Sequence, residues 1–271
     1  MNELEVLKKE LDQLYATNTQ LNNKLKLAES LKSNFISNIM NEVYNPFSAI
    51  KMMADNLVHL TEKNLNSVIP MAQTIYREAA QLDFHLKNVF TAAKIEAGLE
   101  TVRGSEVEII PLVDEALACF KIAIQDKKLQ TIHHVVDRST KAFLSDKDKI
   151  LLVLVNLLSN SIKNSPDGGV ITLEIGMTDE CLTMSVVDEG PGIPKSEIDF
   201  VFDRFRRVSN TINSVNGGTG LGLSVVKAVV ELLGGELELA GESGTQLTIS
   251  IPGNVDFVVE DDELFPEDEL F

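Results

Sequence analysis

Apolar and polar positions recur along this chain with more than one period, and the changes of period divide it into segments. Leu4, Leu7, Leu11, Leu14, Leu21, Leu25 and Ala28 fall on alternating steps of three and four, with Asn18 as the polar residue on the same seam. An uncapped heptad seam of this length predicts a coiled coil, and a lone Asn on it favours a parallel pair in fixed register. A single amphipathic helix lying on its own domain is the other reading of the stripe, and the persistence of the leucines favours pairing. Leu27, Leu31 and Phe35 then shift the phase, a point where a change of register enters the next helix. That helix continues through Ile39, Val43, Ile50, Ala54 and Leu57, bent where Pro46 removes a backbone donor. Polar residues 61–66 predict a turn. A second helix follows, with Pro70 in its first turn, Ile75, Ala79, Leu82, Leu86, Val89 and Ala93 at heptad spacing, and Gly98 at its end. Two antiparallel helices with one apolar stripe each bury both stripes by pairing with a second copy into a four-helix bundle.

Beyond Gly98 the pattern becomes mixed. A short linker leads to residues 106–110 and a helix from Pro111 to about Lys128, and residues 131–137 read as a strand with alternating faces. Asp146 reads as the N-cap of the next helix. Residues 170–176 and 181–188 predict a hairpin turning at Thr178, Asp179 and Glu180. A helix after Gly222 and strands at 236–240 and 246–251 complete a mixed sheet covered on one face by helices. The fold class predicted is α+β. Its segments are a coiled-coil helix at 1–32, a helical hairpin forming a dimeric bundle at 33–99, an α/β sandwich at 100–253 and an acidic tail at 254–271.

Composition narrows the partners. With 44% hydrophobic residues the chain buries an ordinary core, and its longest apolar run, 150–155, is far short of the roughly 18 residues of a membrane span. The start is charged rather than signal-like, which predicts no membrane segment here and either a cytoplasmic protein or a cytoplasmic piece of a longer one. A net charge of −17 disfavours nucleic acid and anionic membrane as partners. Cys119 and Cys181 lack metal-like spacing and read as reduced core residues. The tail repeats Asp-Glu-Leu-Phe at 262–265 and 268–271, either a solvated acidic segment or a short partner-binding motif anchored by Leu264, Phe265, Leu270 and Phe271.

The candidate chemistry is concentrated in four places. Asp188 ends an apolar run and is followed at +2 and +4 by Gly190 and Gly192, a fixed acceptor beside backbone that a flat heterocycle can approach. Asn156 and Asn160 lie one turn apart on an apolar-periodic helix and point the same way, with Lys163 near enough to meet phosphate. An amide oxygen is a neutral hard ligand suited to Mg²⁺. Gly217, Gly218, Gly220 and Gly222 open another helix, whose N–H groups and dipole can face a polyphosphate. Last, the turn at 241–245 places the Thr245 hydroxyl at the start of a strand.

These four motifs in this order resemble the ATP-binding domain of sensor histidine kinases, a Bergerat-type branch of the GHKL ATPases that also includes gyrase, heat-shock protein 90 and mismatch-repair ATPases. The resemblance covers roughly residues 106–252 and takes in the N box, two glycine boxes and the final turn. The run 202–207 looks like the family's phenylalanine box, which precedes a lid. The resemblance implies Mg-ATP as cofactor, with Asn160 holding Mg²⁺, Asp188 the adenine amino group and residues 218–222 the phosphates.

The N-terminal third resembles the dimerisation and phosphotransfer domain of the same family, which implies a homodimer and a response-regulator receiver domain as partner. Its motif aligns over residues 37–47, with Glu42, Asn45 and Pro46 in their expected places and Asn41 where the phosphoacceptor histidine belongs. An amide nitrogen shares its lone pair with the carbonyl, so Asn41 is neither a useful nucleophile nor a base near neutral pH. Autophosphorylation is therefore expected to fail there. His59, His85, His133 and His134 read as surface or packing residues, and Tyr44 is a poor substitute acceptor. Three functions remain: a two-component core that binds Mg-ATP and acts as phosphatase or nucleotide switch, an active kinase carrying an engineered His-to-Asn change, and a GHKL ATPase or serine kinase. The heptad helix and bundle disfavour the last.

Overall fold

A computed structural model describes residues 3–59, 66–138, 143–178, 180–202, 221–241 and 244–253. It divides into two compact units, one ending at Leu86 and the other beginning at Lys87. The first holds helix α1 (Glu3–Val58) and most of α2 (Val68–Glu96). Pro46 lies inside α1, and the exposed leucines along it include Leu11, Leu14, Leu21 and Leu25. The Asn22 amide donates to Asn18 Oδ1 at 3.0 Å. Most of the predicted turn at 61–66 lies outside the described residues. At the far end of α2, Gly98 has φ +66°. Gly98 N–H donates to Ile95 O and Leu99 N–H to Lys94 O, the paired bonds that close a helix through a left-handed residue.

The second unit is α+β, as its patterning predicts. A small antiparallel pair joins β1 (Ser105–Val107) to β3 (Phe143–Ser145). The main sheet contains β2 (Gln130–Arg138), β4 (Val170–Met177), β5 (Cys181–Asp188), β6 (Glu236–Ala240) and β7 (Thr245–Pro252), in the order β2-β4-β5-β7-β6. Only the β2–β4 pairing is parallel among these. A parallel pair needs a long crossover, and here it contains α5 (Lys147–Asn164). Helix α5 packs on the sheet beside α6 (Gly222–Leu232) and under α3 (Ile109–Ala118). Its Ile150, Val153, Leu154, Leu157 and Leu158 are almost wholly buried, as are Leu182, Met184, Ile249 and Ile251 of the strands. Along β7 burial alternates residue by residue, the signature of a sheet with one covered face.

Three sequence expectations are corrected. The helix expected from 111 to about 128 is two helices, α3 and α4 (Lys121–Asp126), because Phe120 leaves helical geometry at φ −112°, ψ 9°. Cys119, expected in the core, is exposed: it follows α3 by one residue and turns away from the face that buries Leu112, Val113 and Ala116. Its thiol donates to Glu115 O at 3.4 Å. Partial burial, then the Glu115 charge, push its pKa above the ordinary thiol value. Over residues 130–134, strand β2 at the sheet edge does not sort into buried and exposed faces: all five are exposed, His133 and His134 included.

Both ends of α5 are fastened by charge. At its start the Asp146 carboxylate accepts from Lys149 N–H at 3.1 Å, from Arg103 N–H at 2.8 Å and from Lys149 Nζ at 3.0 Å. Lys149 is 8% exposed and also meets Glu100 at 3.0 Å, so the segment after α2 is tied to the cap of α5. At its end Lys127 Nζ donates to three carbonyl oxygens, of Ile162, Lys163 and Ser165, at 2.9, 2.9 and 3.0 Å. These are carbonyls for which the helix offers no donor, and a cation there also complements the helix dipole.

Candidate nucleotide site

Asp188 is the last residue of β5, held between Ile171 of β4 and Thr245 of β7. It is 5% exposed, and its carboxylate accepts three hydrogen bonds. One oxygen accepts from Gly190 N–H at 2.9 Å and Thr245 N–H at 3.3 Å, and the other from the Ser161 hydroxyl at 3.0 Å. Three donors from three elements thus fix its plane. A carboxylate has about four acceptor sites, so one direction stays open to a further donor.

The glycines around it are required by contact. A Cβ at Gly190 would lie 2.8 Å from Asp188 Oδ1 and 3.0 Å from Asn164 O. Gly244 has φ +86°, and a Cβ there would collide with Asp188 O. The two glycines meet directly, Gly244 N–H donating to Gly190 O at 3.1 Å. Gly192 has φ +74°. Beyond it a cavity of about 360 Å³ is lined by Pro191, Ile193, Pro194 and Lys195.

Helix α5 carries the amides. Asn156 is 3% exposed and donates both amide hydrogens, to Asn88 Oδ1 at 2.7 Å and to Leu152 O at 2.8 Å. Its own oxygen lies 2.9 Å from where a Cβ of Gly222 would be, so the first turn of α6 approaches it because residue 222 has no side chain. One turn on, half-buried Asn160 accepts from the Asn164 amide at 3.3 Å, and Lys163 is also half-buried. Thr245 is 7% exposed at the head of β7.

The fold therefore brings Asp188, Gly190, Gly244 and Thr245 together at one end of the sheet, with Ser161 of α5 among them. Asn156 and Gly222 form a second contact on α5. Gly218, Gly220 and positions 203–207 of the phenylalanine-rich run lie outside the described residues. Phe202 is described, with Lys227 Nζ 6.0 Å from its ring centroid. In the other unit Asn41 and Asn45 are exposed on α1, Pro46 is buried, and the Glu42 side chain lies outside the described residues.

Sequence reasoning missed three participants, Ser161, Gly244 and Asn88, and also Lys127, which fastens the end of the helix that carries the amides. Ser161 lies inside the asparagine-containing run and Gly244 inside the last glycine turn, so both had a local signal. Asn88 had only its place among apolar positions near the end of α2, and Lys127 none.

An Mg²⁺ ion is compatible with these donors. Amide oxygens of Asn156 and Asn160 are hard, neutral ligands one turn apart on one helix.

Residues 145–255 match the family of histidine kinase-, DNA gyrase B- and HSP90-like ATPases. Hybrid signal transduction histidine kinase D of Dictyostelium discoideum is 31% identical over 261 residues, which is 93% of this chain and 16% of that protein. Sensor histidine kinase WalK of Bacillus subtilis is 28% identical over 223 residues, 80% of this chain and 36% of WalK. The chain thus spans well under half the length of either relative. Among solved structures, histidine kinase AdeS of Acinetobacter baumannii shares the fold with a TM-score of 0.55 at 20% identity, over 79% of this chain and 98% of that one.

Proposed function

Since residues 145–255 form a domain of the histidine kinase-, DNA gyrase B- and HSP90-like ATPase family and the homologues of the chain are named histidine kinases, we propose that this protein is a two-component signalling core that binds Mg-ATP without phosphorylating itself at position 41. The observation that carries the reading is the buried Asp188 carboxylate, oriented by Ser161, Gly190 and Thr245 with an acceptor direction to spare. That direction accepts the amino group of adenine, while Gly190 and Gly192 let the ring lie against backbone. Asn160 holds Mg²⁺ through its amide oxygen, Asn156 lies beside it, and Lys163 meets phosphate. The N–H groups opening α6 at Gly222, preceded by Gly218 and Gly220, receive the rest of the polyphosphate. Bound Mg²⁺ supplies neutralising charge to the phosphate oxygens.

The boundaries read from sequence serve as the working division: signalling helix 1–32, phosphotransfer-like hairpin 33–99, ATP-binding domain 100–253 and tail 254–271. A homodimer through the coiled coil and the bundle is supported by the leucines of α1, which are exposed on the isolated chain. Asn45 lies one turn beyond Asn41 on α1, and both are exposed. Its amide can orient a water toward an aspartyl phosphate on a docked response regulator, a phosphatase step that needs no nucleophilic histidine. Glu42 is the residue that would have served as base to a histidine at 41.

The test pairs nucleotide calorimetry with radiolabelled ATP. ATP is expected to bind more tightly with Mg²⁺ than with EDTA, with no acid-labile, base-stable label on the chain. Absence of ATP and ADP binding would overturn the reading. The exposure of position 41 keeps a second reading in play, an otherwise active kinase in which Asn41 replaces a histidine. Asn41→His decides it, since label on that variant would show competent machinery.

A further inference from the structure

We infer that Asn88, on helix α2, is a positioning residue of the metal–phosphate site, acting through Asn156. The inference rests on the reading above that this half of the chain binds Mg-ATP.

The argument begins with the orientation of a buried amide. Asn156 contacts Leu152 O at 2.8 Å, and a backbone carbonyl only accepts, so the group facing it must be the NH₂. The remaining hydrogen of that NH₂ points to Asn88 Oδ1 at 2.7 Å. Both donors are then engaged, and the oxygen is directed toward Gly222 at the mouth of α6. Without an acceptor at position 88, one amide hydrogen at a site 3% exposed loses its partner. Leu152 O still holds the NH₂ end, but the carboxamide is free to rotate so that its second hydrogen finds another acceptor, and its oxygen leaves the direction of Gly222. Asn88 itself is 5% exposed and 68 residues away in sequence, so this is no local helix contact. A neutral amide-to-amide bond adds no charge near the phosphates. It sets only the rotation of the Asn156 carboxamide, and so the direction of its oxygen, the function of the outer partners that orient metal ligands elsewhere.

The experiment measures ATP affinity of the full chain by calorimetry, with Mg²⁺ and with EDTA, for wild type, Asn88→Ala, Asn88→Leu and Asn88→Asp. The two variants without an acceptor should reduce the gain in affinity that Mg²⁺ provides by about tenfold, with EDTA affinity within about twofold. Asn88→Asp, which keeps an acceptor in the same place, should retain the gain and also keeps the test alive should the apolar variants fail to fold. A general structural role predicts instead equal losses with and without Mg²⁺. That result, an unchanged gain in Asn88→Ala, or loss of the gain in Asn88→Asp would each overturn the inference. If wild type shows the Mg²⁺ gain and the variants do not differ, only this inference falls. If wild type binds no nucleotide, the functional reading falls first.

Discussion

Asp188 draws its partners from a helix, a turn and a strand, and their chemistry predicts how it responds to substitution. Two partners are backbone N–H groups, which only donate, whereas the Ser161 hydroxyl can donate or accept. Asn at 188 can keep its oxygen toward the N–H groups and turn its NH₂ to Ser161, so Asp188→Asn is expected to unfold within about 1 kcal/mol of wild type. It removes a charged acceptor, worth about 1.5–3 kcal/mol, so ATP affinity should fall at least about tenfold, read by calorimetry beside a urea melt. Gly244→Ala behaves in the opposite way. It forces a Cβ into Asp188 O at positive φ, and stability should drop by about 2 kcal/mol or more, read by thermal unfolding of the nucleotide-free protein. The carboxylate with glycines at +2 and +4 was legible in sequence because all three belong to one local turn. Asn88 was not, because an Asn on a helix is satisfied equally by water, and only the tertiary fold brings Asn156 to it.

Helix α5 depends on interactions at its two ends. Lys127→Met keeps the aliphatic stem and removes three charge-assisted bonds, so it should destabilise the second unit by about 2 kcal/mol, visible as a lower urea midpoint at unchanged slope. Next to it Lys128 has φ 54°, a left-handed position occupied by a residue with a Cβ. Lys128→Gly is expected to raise stability by about 0.5–1 kcal/mol, since the strain relieved, about 1–2 kcal/mol, exceeds the added flexibility of the unfolded chain. The Asp146 cap was readable from its position before an apolar run. The cation at the other end was not, because Lys127 precedes α5 by 20 residues and reaches it only once β2 and β3 have folded between them. The break between α3 and α4 escaped for a similar reason, as neither Gly nor Pro marks positions 119 and 120. Cys119 was misassigned by type: a thiol counts as apolar, and one residue of offset from α3 set it outside the buried face.

At the scale of the molecule, the exposed stripe of α1 separates two oligomeric states. Leu11, Leu14, Leu21 and Leu25 are 54%, 68%, 60% and 58% exposed. If they form the seam of a coiled coil, Leu14→Glu combined with Leu21→Glu should shift light-scattering mass toward one chain of 29.8 kDa. ATP binding by the second unit should survive. The architecture of that unit was legible where periodicity switches from helix to strand, and its edges were not. Strand β2 carries alternating residues, yet its residues 130–134 are all exposed.

The arrangement around Asp188 also fixes when a binding site can first exist during synthesis. Its hydroxyl partner lies 27 residues before it and its second backbone partner 57 residues after it. A chain still emerging from the ribosome therefore lacks the proposed purine pocket until β7 has left the exit tunnel and inserted beside β5. Nucleotide cannot assist any earlier stage of folding, and a chain arrested before Thr245 should be blind to ATP however well its helices have formed.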